Sequence, residues 1–256
     1  SISVNDQFLK LVAVDGDIGE NARVSYNITR GNGEGSFGIF PDGMLYVSSV
    51  LDRETKDHYQ LTVHATDNGI EHRNSAVNIT INVLDDNDNK PLFVNTTYSM
   101  SIKENSAAHT IIGSVSASDL DIGRNAEISY YLLSGQENFT IESQTGEIRS
   151  LVKFDREKLL EEIGVTFYIV EVKAIDNGIE KLEDIATVKI YILDENDNAP
   201  VFEKTMYRPK IHENSAKYSP VVQVVATDKD EGVNQAITYS IISGNEDGQF
   251  NINQAN

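Results

Sequence analysis

The 256-residue chain has no cysteine, no tryptophan and only five prolines, and it has no run of about 18 apolar residues. Without cysteine there is no disulfide framework, no zinc thiolate site and no cysteine nucleophile. Without a long apolar run, nothing here crosses a bilayer as a helix. The opening Ser1-Ile2-Ser3-Val4 lacks the basic and apolar stretches of a signal peptide, so any such segment of the parent lies outside this piece. Lys and Arg number 21 against 40 Asp and Glu, a net charge of −19. That balance disfavours nucleic acid, whose phosphates need clustered cations, and anionic membrane surfaces. A hydrophobic content of 39% argues against disorder. An acidic surface needs no partner; carboxylates gathered in one place call for a hard cation. Position decides between the two.

The acids lie in a repeat. Asp85-Asp86-Asn87-Asp88-Asn89-Lys90-Pro91 returns 109 residues later as Asp194-Glu195-Asn196-Asp197-Asn198-Ala199-Pro200. Lys103-Glu104-Asn105-Ser106-Ala107 returns as His212-Glu213-Asn214-Ser215-Ala216, and Ala65-Thr66-Asp67-Asn68-Gly69-Ile70 as Ala174-Ile175-Asp176-Asn177-Gly178-Ile179, both at the same offset of 109. Asp-x-Asp occurs three times, as Asp15/Asp17, Asp119/Asp121 and Asp228/Asp230, each trailed by an Asn: Asn21, Asn125 and Asn234. Leu51-Asp52-Arg53-Glu54 returns as Phe154-Asp155-Arg156-Glu157 at an offset of 103; the six extra residues that follow, Leu159-Leu160-Glu161-Glu162 among them, are expected to form a short helical turn. This organisation reads as three units: 1–89, lacking its N-terminal strand; 90–198, complete; and 199–256, the N-terminal part of a third, stopping after about four strands. Both ends are read as the limits of a piece of a longer chain.

Between the acidic motifs the residues alternate. Tyr168, Val170, Val172 and Ala174 share one face, as do Ala186, Val188, Ile190 and Ile192; Ile111 to Ala117 and Ile128 to Leu132 behave alike. Period-2 runs bounded by Gly, Asn, Asp and Pro predict about seven short strands per unit, an all-β fold of tandem Greek-key sandwiches.

The acids sit at strand ends, where side chains leave a sandwich without being buried. Around the second connector, seven carboxylates come together from three regions: Glu104, Asp155, Glu157, Asp194, Asp197, Asp228 and Asp230. Their mutual repulsion, on the order of a kcal/mol per close pair, has no recurring group of Lys and Arg to match it, so a multivalent cation is expected. An all-oxygen donor set without cysteine, and without histidine recurring in the motifs, excludes the usual zinc and copper chemistry. Ca²⁺, which accepts six to eight oxygens in loose geometry, fits better than Mg²⁺.

Leu-Asp-Arg-Glu, Asp-x-Asn-Asp-Asn-x-Pro, Asp-x-Asp and Ala-x-Asp-x-Gly, in this order, resemble the extracellular repeats of the cadherin superfamily over essentially the whole chain. The resemblance implies a seven-strand sandwich per repeat and about three Ca²⁺ per complete linker. At the second junction it implies two ions on Glu104, Asp155, Glu157, Asp194, the Glu195 carbonyl, Asp197 and Asp230, and a third on Asn196, the Asn198 carbonyl, Asp228, Asp230 and the Asn234 carbonyl. At the first junction Asn87, Asn89, Asp119, Asp121, Asn125 and Asp176 would form the third site. Asp52, Glu54, Asp85, Asp86 and Asp88 would serve the other two, whose strand-end Glu falls at position zero. Asp15, Asp17, Asn21 and Asp67 would face an upstream junction. Six such ions would bring the charge from −19 to about −7, ordinary for a soluble domain.

Other readings are weaker. Asp119-Leu120-Asp121-Ile122-Gly123 opens like an EF-hand loop, but Tyr130 stands where a bidentate Glu belongs. An isolated Asp-Asn pair is a turn former; a repeated ordered set is more than that. Paired carboxylates can run glycoside hydrolysis, but an active site is built once per chain, and His58, His64, His72, His109 and His212 have no common spacing. No enzyme is expected. Sequons at Asn27, Asn78, Asn95 and Asn138 suit a glycosylated extracellular setting. The expected role is Ca²⁺-dependent cell–cell adhesion by the ectodomain of a single-pass membrane protein, with another cadherin-type ectodomain as partner and no membrane contact by this segment. Without tryptophan the chain lacks the anchor used for strand exchange by classical members, which favours a spacer in a long protocadherin-like or Fat/Dachsous-like protein. A receptor ectodomain signalling on binding another cadherin or a soluble ligand is the alternative.

Overall fold

The structure, a computed structural model, describes residues 4–254; the Ser1-Ile2-Ser3 opening and the last two positions lie outside the described residues. The chain divides into two compact units, one of Ser1–Leu92 with Ser118–Ile128 and Ile175–Glu183, the other of Phe93–Ala117, Ser129–Ala174 and Asp184–Asn256.

In the first unit lie β1 (Gln7–Lys10), β2 (Val24–Arg30), β3 (Phe37–Ile39), β4 (Met44–Val47), β5 (His58–Asp67) and β6 (Asn74–Asn82). They form two antiparallel sheets, ordered β1-β4-β3 and β2-β5-β6. The alternation of β5 is what makes a sandwich: Tyr59, Leu61 and Val63 turn inward and are buried, while Gln60 faces water. Phe37, Leu45 and Val47 meet them from the other sheet, with the Phe37 and Tyr59 rings edge to face at 4.9 Å. Each such side chain contributes about 1.5–3 kcal/mol by leaving water. β3 returns to β4 through Pro41-Asp42-Gly43, where Gly43 takes φ +83° and Asp42 Oδ1 accepts the Met44 N–H.

The second unit continues with β7 (Leu92–Phe93), β8 (Thr97–Lys103), β9 (Ile111–Ser114), β10 (Ala117–Ser118), β11 (Ser129–Leu132), β12 (Phe139–Ile141), β13 (Glu147–Ser150), α1 (Arg156–Ile163), β14 (Phe167–Ile175), β15 (Glu183–Leu193), β16 (Val201–Phe202) and β17 (Ala226–Thr227). One sheet is ordered β11-β14-β15-β8 and the other β12-β13-β9. Val170, Val172 and Ala174 of β14 and Ala186, Val188, Ile190 and Ile192 of β15 form the core with Phe139 and Ile148. The Ile111 to Ala117 alternation is not one strand: β9 pairs with β13 through a register shift between Ile148 and Arg149, and the chain resumes as β10, which pairs with β7 instead.

A parallel ladder from Thr187↔Thr97 to Leu193↔Lys103 joins β15 to β8 and covers the sheet edge. β6, the counterpart of β15, has no strand beyond it among the described residues. The consequence is visible at one position: Ala186 is 1% exposed, and its counterpart Val77 is 47% exposed.

The helical insertion is real. Asp155 caps α1 by accepting the Lys158 N–H, Leu159 is buried, and Gly164 ends the helix at φ +74° with its N–H on the Leu160 carbonyl. The third repeat differs from expectation. After residue 198 the described residues hold two short strands, β16 and β17, rather than about four. A strand needs a ladder partner, and the given sequence has no counterparts of β14 and β15 after residue 227.

One contact recurs in all three repeats. The Tyr26, Tyr130 and Tyr239 hydroxyls accept the backbone N–H of Ala13, Ala117 and Ala226 at 2.8, 2.8 and 3.0 Å. Each of these alanines stands two residues before an Asp-x-Asp pair.

Candidate metal centres

Each Asp-x-Asp loop is closed by its own first carboxylate. The N–H of Asp17, Asp121 and Asp230 donates to Asp15, Asp119 and Asp228 Oδ1 at 2.9, 3.0 and 3.0 Å. That leaves the second oxygen and the second aspartate free to point elsewhere.

In the first unit, Asp85 Oδ2 accepts Asn125 Nδ2 at 2.8 Å and the Ile122 N–H at 3.3 Å. Asn89 donates to Asp121 through its N–H at 3.3 Å and its side-chain amide at 2.8 Å. Asn87 Nδ2 donates to Asp176 Oδ2 at 3.1 Å and to the Glu180 carbonyl at 2.6 Å. Asp176 is fully buried and also accepts the Gly178 and Leu182 N–H groups. Carboxylate oxygens of Glu54, Asp85 and Asp121 lie within 4.8 Å of one another.

The second unit repeats this pattern. Asp194 Oδ2 accepts Asn234 Nδ2 at 2.9 Å and the Glu231 N–H at 3.1 Å, and Asp230 Oδ1 accepts the Asn198 side-chain amide at 2.7 Å and its N–H at 3.2 Å. Glu104, only 1% exposed, takes the Arg156 N–H at 2.7 Å and the Glu195 N–H at 2.8 Å on its two oxygens. Two triads result, Glu104–Asp155–Glu157 and Glu157–Asp197–Asp230, each within 4.8 Å, with Glu157 shared. Crowding shows in the protonation: burial, then the charges of Glu104 and Asp194, push the Glu157 carboxyl up to about 7. Burial likewise raises Asp119.

Not every expected ligand joins these groups. Asp52 caps its own turn, accepting the Thr55 N–H at 3.1 Å and hydroxyl at 2.8 Å, which hold its carboxyl below the usual range. Asp86 belongs to none of the triads; the Asp88 carboxylate accepts Asn89 Nδ2. Asn196 is exposed. Upstream, Asp67 is buried, accepts the Gly69 and Arg73 N–H groups, and lies beside Asn21. The sequon asparagines Asn27, Asn78 and Asn95 are exposed, and Asn138 is half-buried.

Sequence reasoning found no Lys or Arg recurring with the acids, and this needs correction. Arg53 and Arg156, inside the repeated Leu/Phe-Asp-Arg-Glu, enter the clusters. Arg53 Nε lies 2.6 Å from Asp85 Oδ1, and its terminal nitrogen contacts Glu54 and donates to the Leu120 carbonyl at 2.8 Å. Arg156 lies 3.4 Å from Asp194 and 3.7 Å from Glu157, and pairs with Glu231. The signal was present in the motif, where the arginine stands at the same place in both copies.

One arginine offsets one of about seven charges, and the oxygens left over test the fit of a cation. Asn87 Oδ1, Asp119 Oδ2, Glu157 Oε1 and Asp230 Oδ2 are buried without a hydrogen-bond partner. Orphaned buried acceptors are costly, and here all four belong to residues expected to ligate. Their chemistry, hard oxygen only, fits Ca²⁺.

The Cadherin domain family matches residues 1–84, 98–193 and 207–256. Mouse protocadherin Fat 4 is 45% identical over 250 residues, 97% of this chain and 5% of that protein. Drosophila dachsous is 39% identical over 260 residues, 96% and 7%, and human protocadherin-7 is 38% identical over 245 residues, 94% and 22%. The chain thus spans a minor part of these relatives. Among solved structures, mouse cadherin-23 EC22-24 aligns with a TM-score of 0.73 at 31% identity, covering 93% of this chain and 75% of that one. The protocadherin gammaB4 extracellular domain aligns at 0.84 and 28% identity, covering 94% and 40%. The chain belongs to the cadherin family, with the all-β repeat fold of its extracellular domains.

Proposed function

We propose that this chain is a calcium-dependent segment of a cell–cell adhesion ectodomain, made of a cadherin repeat at 1–89, a complete repeat at 90–198 and part of a third at 199–256, and acting as a spacer within a longer adhesive array. The cadherin family is an adhesion family and not an enzyme family, and no described helix is long and apolar enough to cross a membrane. The whole protein's partner, on this reading, is another cadherin-type ectodomain outside the cell.

The observation that carries the proposal is the set of buried carboxylate and amide oxygens left without hydrogen-bond partners in both acidic clusters. Ca²⁺, when bound, supplies the positive charge and the loose multidentate oxygen coordination that these groups lack. The residues do the rest. Glu104 is held by two backbone N–H groups and presents its charge at the base of the second cluster. Glu157, shared by two triads, would bridge two ions. Asp121 and Asp230, fixed by Asn89 and Asn198, tie the connector to the repeat that follows. Loss of these links frees like charges to separate, and the junction becomes a hinge.

The test combines calcium titration by small-angle scattering with bead aggregation, using this chain and longer ones. The proposal expects elongation on adding Ca²⁺ at roughly 10⁻⁵ to 10⁻³ M, as in extracellular calcium modules. It expects calcium-dependent aggregation by longer chains and none by this one. A scattering profile indifferent to chelation overturns the hinge. Capture of a soluble ligand without aggregation by any length would favour a signalling receptor instead.

A further inference from the structure

The two acidic clusters differ in what surrounds Asp-x-Asp. In the second unit the loop reads Asp228-Lys229-Asp230-Glu231; in the first it reads Asp119-Leu120-Asp121-Ile122. Lys229 Nζ lies 2.9 Å from Glu161 Oε1, on α1, the α-helix that among the described residues only the middle repeat carries. Glu231 pairs with Arg156, whose side chain is 7% exposed. Two opposite ion pairs therefore join the middle repeat to the third. At the matching positions of the first unit stand Leu120 and Ile122, exposed and uncharged, so Arg53, paired with Glu54 and Asp85, meets this loop at the Leu120 carbonyl and finds no carboxylate on it.

We infer that Arg156, Glu161, Lys229 and Glu231 are positioning residues that hold the second junction together without metal, so that calcium withdrawal loosens the first junction before the second. The inference rests on the reading of both clusters as calcium junctions. Lys229 and Glu161 are each about two-thirds exposed, so that pair contributes little alone. Arg156 is different: it is buried among Glu157, Asp194 and Glu231, where hydrogen bonds between ionised groups are strong. Arg156 and Lys229 also lower the net charge that metal-free carboxylates must tolerate. Bracing of this kind adds to what calcium does and does not replace it.

The chain has no native cysteine, which suits spin-label distance measurement on the full chain. Gln60→Cys with Gln144→Cys reports the first junction, and Gln144→Cys with Gln223→Cys the second; all three glutamines are exposed. In chelator the second distribution should be severalfold narrower than the first. Lys229→Leu with Glu231→Ile, which copies the first junction, should broaden it to match, and Ile122→Glu, which offers Arg53 a carboxylate, should narrow the first. Equal widths in the parent chain, or a second distribution unmoved by the double substitution, overturn the inference. These comparisons are made wholly in chelator. Failure of the calcium reading shows separately, as distributions that stay broad when Ca²⁺ is added.

Discussion

Gly178 lies against the side-chain amide of Asn87, so close that a β-carbon on Gly178 would come within 2.4 Å of Asn87 Nδ2. The glycine of Ala-x-Asp-x-Gly is thereby explained without appeal to backbone freedom: it makes room for a connector asparagine. Gly178→Ala should displace Asn87 and lower calcium affinity at the first junction by roughly tenfold, the effect of about 1.4 kcal/mol. Gly69→Ala, whose β-carbon would meet Asn21 Oδ1 at 3.1 Å, should cost less. Calorimetric calcium titration of both variants checks the pair; unchanged affinity in Gly178→Ala contradicts it.

Glu104→Gln replaces one of two buried acceptors with an amide that faces an N–H donor. The loss is about 1–3 kcal/mol of stability. Removing a charge beside Glu157 works in the opposite direction, so the measurement belongs at pH 5, where Glu157 is protonated and that relief is absent. A lower denaturant midpoint in chelator at pH 5 is expected. No change would mean that Glu104 does not organise the connector.

The raised carboxyl of Glu157 sets a pH dependence of definite sign. Folded, it keeps its proton up to about 7; unfolded, it ionises near 4.5. The metal-free fold therefore has the full benefit of the protonated group below 4.5 and loses it as pH rises through about 7. Chelated samples should melt at lower temperature at pH 8 than at pH 5, and Glu157→Gln should flatten that slope. Calcium reverses it: binding displaces the proton, so affinity should weaken as pH falls below 7, with proton release detectable by calorimetry in buffers of different ionisation enthalpy.

Tyr239→Phe leaves the buried Ala226 N–H without an acceptor, at a cost of about 1–3 kcal/mol. Amide exchange at Ala226 should accelerate, and Tyr130→Phe should do the same at Ala117. Unchanged protection in both variants would rule out a role for the hydroxyl.

Much of this was legible in the sequence. The inward faces of β14 and β15 follow from alternation at Val170, Val172 and Ala174 and at Val188, Ile190 and Ile192, because burial on one face of a strand leaves a period of two. The acidic motifs recur in one order, most of them at an offset of 109, which made their spatial grouping predictable. What escaped was whatever depends on a partner rather than a pattern. Tyr26, Tyr130 and Tyr239 each follow their alanine by 13 residues, a repeat that was visible, but a hydroxyl's acceptor role has no sequence signature. The arginines entering the acid clusters were in plain view within the motif. The third repeat's missing ladders could not be read from alternation, which reports a face and not the presence of a neighbour. The sharing of Glu157 between two triads depends on loop geometry alone.

The most direct test is a diffraction structure of calcium-grown crystals, read at Glu157 and Asp230. The account predicts strong density in the second cluster with these carboxylates at about 2.3–2.6 Å, the range for Ca²⁺–oxygen bonds. Water alone between them, with Glu157 Oε1 and Asp230 Oδ2 pointing apart at saturating calcium, would contradict it.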